Sequence, residues 1–81
     1  MNTKMFEEFK ETLSEYVDTP AEEITEDSKL IEDLGMNSFQ FMSLLGDLEE
    51  EYEVEVDAAE VRNLRNVGEA CEYIEKLMQE Q

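Results

Sequence analysis

Between Ser38 and Glu53 the apolar residues recur with the pitch of a helix, and this stretch limits the fold more than any other. At about 100° per residue, Phe41, Leu44, Leu45, Leu48 and Tyr52 fall on one stripe. Gln40, Ser43, Asp47, Glu50 and Glu51 gather on the opposite face, while Phe39 and Gly46 lie on a flank outside the stripe. Such a helix stands only if its stripe is buried by neighbours, so the rest of the chain must supply them.

The neighbours are legible on the same grounds. Phe6, Phe9, Leu13 and Tyr16/Val17 recur at helical spacing and predict a first amphipathic helix from residue 3 to about 17. Thr19-Pro20 stops it, because proline restricts its predecessor and cannot continue a helix. A long connection over 18–37 comes next, with Ile24, Leu30, Ile31 and Leu34 as apolar anchors and Ser28 expected to cap a turn over Lys29 to Asp33. Loops of that length are uncommon unless functional or locally structured. Glu53-Val54-Glu55-Val56 reads as an extended linker whose valines dip into the core, and Asp57 to Val61 as a short helix. Asn66-Val67-Gly68-Glu69 is a variant capping box opening a last helix, with Val67, Ala70, Cys71, Ile74 and Leu77/Met78 as its buried stripe. The expected fold is all-α: a single domain over 1–81, a small bundle of three main helices plus one short one.

Twenty-three acids against six bases give the 81-residue chain a formal charge of −17. Such a surface repels nucleic acid and anionic lipid and attracts proteins with basic patches. No segment approaches the roughly 18 uninterrupted apolar residues of a membrane span, and the N-terminus has no signal-like apolar run. The lone Cys71 excludes an internal disulfide and fits a reducing cytoplasm, most simply as a small core residue. With no histidine and one cysteine, a Ser-His-Asp arrangement and the usual zinc sites cannot be built. Catalytic and metal-ligating residues are therefore not expected. Nor can neighbours in the Glu49 to Glu51 run work as a carboxylate pair, since consecutive helical residues point apart.

Ser38 is the residue with chemical promise. Asp33-Leu34-Gly35-Met36-Asn37-Ser38-Phe39 is a glycine-broken turn that delivers one serine to the start of the main helix. Serine is a favoured N-cap, and the backbone N–H groups there form a cradle for phosphate. The serine is open to two readings: a hydroxyl placed to carry a phosphate ester, or an ordinary capping residue.

Asp33-Leu34-Gly35-x-x-Ser38, followed by an amphipathic helix ending Leu48-Glu49-Glu50-Glu51-Tyr52, resembles the acyl carrier proteins. Val56, Asn66-Val67 and Tyr73-Ile74 extend the likeness over nearly the whole chain. The resemblance implies that a phosphopantetheinyl transferase attaches 4′-phosphopantetheine to Ser38 from coenzyme A. The arm then holds acyl groups as thioesters for acyl-transferring or acyl-activating enzymes with basic patches, and the carrier itself is no enzyme and is expected to be a monomer. Phe41, Leu45, Leu48 and Ile74 are the expected walls of an acyl pocket. Asn37, Phe39, Gln40, Ser43, Asp47 and Glu50 are the expected partner-binding residues.

Departures from the family pattern bear on pathway. Asn37 stands for the usual aspartate, Phe39 for leucine, and Asp57 for a common proline; Gln40 and Ser43 stand where fatty-acid carriers commonly have acids. These changes resemble a specialised carrier of a polyketide, peptide or lipid-modifying pathway. A housekeeping fatty-acid carrier and an unmodified acidic adaptor are the alternatives.

Overall fold

The structure, a computed structural model, describes residues 3–80. Its helices are α1 (Thr3–Ser14), α2 (Ser38–Tyr52), the short α3 (Ala58–Val61) and α4 (Val67–Gln79), with a 3₁₀ turn at Ala21–Glu23. The all-α expectation holds, and the described residues contain only one isolated β-bridge, Lys29 to Asn66.

Helix α1 ends three residues before the expected Val17. Ser14 turns its hydroxyl onto the Glu11 carbonyl at 2.7 Å. The next N–H groups then bond three residues back, Glu15 to Thr12 and Tyr16 to Leu13. That tighter pattern closes an α-helix. Tyr16 and Val17 still pack on the core from beyond the helix end, so the apolar spacing marks core residues correctly but overruns the helix boundary.

The long connection is locally built. Ile24, Leu30 and Leu34 are buried as expected, and Met36 joins them. Ile31 is the exception, with 55% of its surface exposed. Ser28 also departs from expectation, because its hydroxyl accepts from Thr25 N–H upstream. The turn after it is closed instead by the Asp33 carboxylate, which accepts from Lys29 N–H at 2.8 Å, and by Lys29 C=O, which accepts from Asp33 and Leu34. Leu30 N–H to Arg65 C=O, Val67 N–H to Ser28 C=O and Gly68 N–H to Glu26 C=O then tie the connection to the start of α4. Gly68 permits this approach: a Cβ there would stand 3.2 Å from both Glu26 Cβ and Glu26 O.

The interior is apolar, with Phe9 and Leu13 of α1, Leu44, Leu45 and Leu48 of α2, and Val67, Ala70, Cys71 and Ile74 of α4 buried together. Val54 is buried and Val56 packs against the same core, as the alternating linker predicts. On α4 the stripe continues through Leu77, while Met78 turns outward. Asp57 caps α3 by accepting from Ala59 N–H at 2.8 Å, which gives a physical use for the acid at that position. Asn66 and Glu69 form the capping box expected at α4.

Candidate functional site

Asn37, not Ser38, is the N-cap of α2. Its side-chain oxygen accepts from Gln40 N–H at 2.7 Å, and the Gln40 side chain accepts from Asn37 N–H at 3.0 Å. The reciprocal pair is a capping box made of neutral amides. Gln40 also donates its amide N–H to Tyr16 C=O at 3.4 Å, tying the start of α2 to the end of α1. The cap therefore lies one residue earlier than serine's capping preference suggests, because an asparagine precedes it and caps as well as serine does.

This shift leaves Ser38 at the first helical position, exposed to solvent. Its hydroxyl has no hydrogen-bond partner among the described residues. The capping box uses the N–H groups of Asn37 and Gln40, and Phe41 N–H bonds Asn37 C=O. The N–H groups of Ser38 and Phe39 have no partner among the described residues and lie at the positive end of the helix dipole. Gly35, at φ +70°, makes the turn leading into this helix.

Beside Ser38 lies an apolar groove of about 330 Å³. Leu30 and Ile31 come from the connection, Phe41 and Met42 from α2, and Ala58, Val61 and Leu64 from α3 and its flank. Among the described residues, Ser38 and Arg62 are its only polar lining residues. Of the four residues expected to wall a pocket, Phe41 lines this groove. Leu45, Leu48 and Ile74 do not: they are 2%, 0% and 1% exposed and are spent on the core. The stripe of α2 faces the bundle interior, whereas the groove opens on the α3 side. Ile31 and Met42, both more than half exposed, line it although the sequence reading gives them no such role. The signal that marks them is being apolar while lying off any stripe that the bundle can bury.

The expected partner-facing residues divide. Phe39 is 80% exposed next to Ser38, and Asn37, Asp47 and Glu50 are exposed. Gln40 and Ser43 are half-buried; Gln40 is held in the cap, and the Ser43 carbonyl accepts from the Tyr16 hydroxyl at 3.4 Å. Tyr16 also donates to the Asp47 carboxylate. Glu8, Glu11 and Glu15 of the α1 side face Asp47, Glu50 and Glu51 across an open cleft. No group of acids among the described residues has metal-ligand geometry.

Cys71 is fully buried, and burial, then the nearby Glu75 and Glu72 charges, push its thiol up to about 11. It stays protonated and unreachable at neutral pH, so it is no acyl acceptor.

A family model described as a phosphopantetheine attachment site matches residues 7–74. The acyl carrier protein of Thermotoga maritima is 37% identical over 73 residues, covering 90% of each chain. That of Sulfurovum is 33% identical over 73 residues, covering 90% of this chain and 97% of the other. That of Saccharopolyspora erythraea is 36% identical over 69 residues, covering 85% and 73%. The chain belongs to the acyl carrier protein family.

An acyl carrier protein is a carrier and not an enzyme, and its phosphopantetheine-binding domain bears the arm covalently. Transferases and acyl-handling enzymes are its partners. The start of α2 fits such a group: an unengaged hydroxyl, two open N–H donors for a phosphodiester, and an apolar groove adjoining both.

Proposed function

We propose that residues 1–81 form a single, monomeric carrier domain whose Ser38 hydroxyl bears the 4′-phosphopantetheine arm. The observation that carries the assignment is the exposed, unpartnered Ser38 hydroxyl beside two open helix N–H groups and an apolar groove. When attached, the arm supplies a thiol that holds acyl groups as thioesters. Ser38 fixes the arm, the Ser38 and Phe39 N–H groups hold its phosphate, and Phe41 lines the slot that shelters a short cargo. A phosphopantetheinyl transferase loads it. Among the described residues no helix is long and apolar enough to cross a membrane, and a buried free thiol suits a reducing compartment; both support a cytoplasmic carrier.

The pathway reading is a specialised one, in polyketide, peptide or lipid modification. It is supported by Phe39, an aromatic 80% exposed beside Ser38, and by a first turn without acids. Partner enzymes then meet an apolar contact near the arm, with Asp47 and Glu50 steering their basic patches from further along α2. Intact mass after incubation with coenzyme A and a broad-specificity transferase tests the assignment. The wild type gains one phosphopantetheine and Ser38→Ala gains none. An unmodified wild type would instead favour an acidic adaptor, and equal service to fatty-acid synthase enzymes would favour a housekeeping carrier.

A further inference from the structure

Arg62 stands out against the chain's own charge. The sequence has 23 acids and six bases, so carboxylate partners are abundant. Lys10 pairs with Glu7 and Lys29 with Glu32, whereas neither Arg62 nor Arg65 is in an ion pair among the described residues. Arg62 caps the C-terminal end of α3, directly after the buried Val61 and two residues before the half-buried Leu64. These neighbours pin the backbone to the core while Arg62 is exposed at the groove. Among the described residues it is the one charged side chain in a groove otherwise walled by apolar side chains and Ser38. Lys29, Glu32 and Arg65 line an adjoining depression that shares Ile31, Arg62 and Leu64, and Lys29 is neutralised there by its pair with Glu32. Two arginines unpaired among the described residues, Arg62 and Arg65, therefore stand close together beside the groove of a strongly anionic molecule, with the Lys29–Glu32 pair next to them.

An apolar slot with one cation does not suit every acyl group equally. A plain alkyl chain gains only from the walls and leaves Arg62 unpaired. A chain of methylenes ending in a carboxylate matches both parts, and the rest of the acidic surface repels it toward this spot. At about 330 Å³ the groove is at the small end of small-molecule sites, which span about 300–1,000 Å³.

We propose that Arg62 makes the groove selective for short acyl groups ending in a carboxylate, that is, half-thioesters of dicarboxylic acids. The methylenes lie on Ile31 and Met42, and the distal carboxylate meets the Arg62 guanidinium. The proposal rests on Ser38 being the attachment residue.

The test loads wild type, Arg62→Gln and Arg62→Lys from the coenzyme A thioesters of glutarate and of its neutral monomethyl ester. Intact mass is read first, so failure to load, which refutes Ser38 as the attachment residue, is distinct from a failure of groove selectivity. Groove occupancy at pH 7 is then read from the Ile31 and Met42 methyl shifts, and the carboxylate contact from the Arg62 Nε–H signal. Glutaryl should occupy the wild-type groove about two- to fivefold more than the methyl ester, the range of a solvent-exposed ion pair. Arg62→Gln should erase that preference, Arg62→Lys should keep part of it, and 0.5 M salt should reduce it. The inference is overturned if both cargoes occupy the groove equally, or if the preference survives in Arg62→Gln. It is also overturned if Arg62 Nε–H moves as far with the bare thiol arm, since the guanidinium would then be pairing with the arm's phosphate.

Discussion

Exchanging Asn37 and Ser38 for alanine, one at a time, separates what holds α2 from what it presents. Asn37→Ala deletes the acceptor of Gln40 N–H, a bond of 2.7 Å. Loss of an asparagine cap costs typically about 1 kcal/mol, within a range of roughly 0.5–2. The Gln40 side chain also loses its orienting partner, and with it the 3.4 Å bond to Tyr16 C=O, so the upper half of that range, about 1–2 kcal/mol, is expected. Ser38→Ala breaks no hydrogen bond among the described residues and replaces serine by the best helix former. It should be neutral or stabilising by up to about 0.5 kcal/mol. The assay pairs urea unfolding with intact mass after transferase treatment. Asn37→Ala should unfold at lower urea with an unchanged m-value yet accept the arm, whereas Ser38→Ala should be as stable as wild type and accept nothing. A loss above about 1 kcal/mol in Ser38→Ala would show that the serine hydroxyl caps the helix, and the assignment of the two roles would be wrong.

That division of labour is only half visible in the sequence. Helical spacing locates α2 and α4, because an apolar stripe is a local, periodic signal. The Asn66–Glu69 box is readable for the same reason: its two partners are three residues apart. The Asn37–Gln40 box has the same spacing, but the adjacent serine is an equally good cap by type and masks it. The groove is not readable at all by periodicity. Its walls come from three segments of the sequence, and the hydrogen bonding of residues 26–30 to residues 65–68 brings two of them, the connection and the flank of α3, together. Leu45, Leu48 and Ile74 look like pocket walls in the sequence because they are apolar and near the right helix. Burial to 2% or less shows that a small bundle spends such residues on its core. Ile31 and Met42 are available for a ligand for the opposite reason, since nothing in the bundle covers them. Gln40 changes meaning as well. By the family pattern it is a missing acid on a docking face, whereas its amide in the fold joins α1 to α2.

Gly46→Ala should raise apo stability by about 1 kcal/mol, because Gly46 is within α2 and a Cβ there meets nothing within 4 Å; a lower urea midpoint would refute it. The melting temperature should rise from low salt to several hundred millimolar, as screening over a Debye length of about 10 Å at 0.1 M weakens self-repulsion of the −17 charge; a flat profile would count against that. Phe39→Ala should weaken cognate-enzyme binding by about 1–2 kcal/mol without altering loading, as read by calorimetry on the holo protein; unchanged affinity would remove Phe39 from the docking face. Alkaline pH should unfold the protein through its buried acids. Burial holds the Cys71 thiol neutral, moving it from 9.0 to about 11, and burial followed by the Glu51 and Glu8 charges moves Tyr52 from 10.0 to about 12. The Tyr52 hydroxyl is buried with no partner among the described residues, so its anion has nothing to accept from. Above about pH 9 the unfolded chain releases the Cys71 proton that the folded chain keeps, so the unfolded state binds fewer protons and stability falls as pH rises. The thiol's contribution is whole below about pH 9 and gone by about pH 11, a loss of up to about 2 kcal/mol by the upper part of that window. Urea midpoints at about pH 8 and about pH 10.5 should therefore fall further in wild type than in Cys71→Ala, which has no thiol to ionise; equal falls in the two proteins would mean that the thiol is not held neutral by the core.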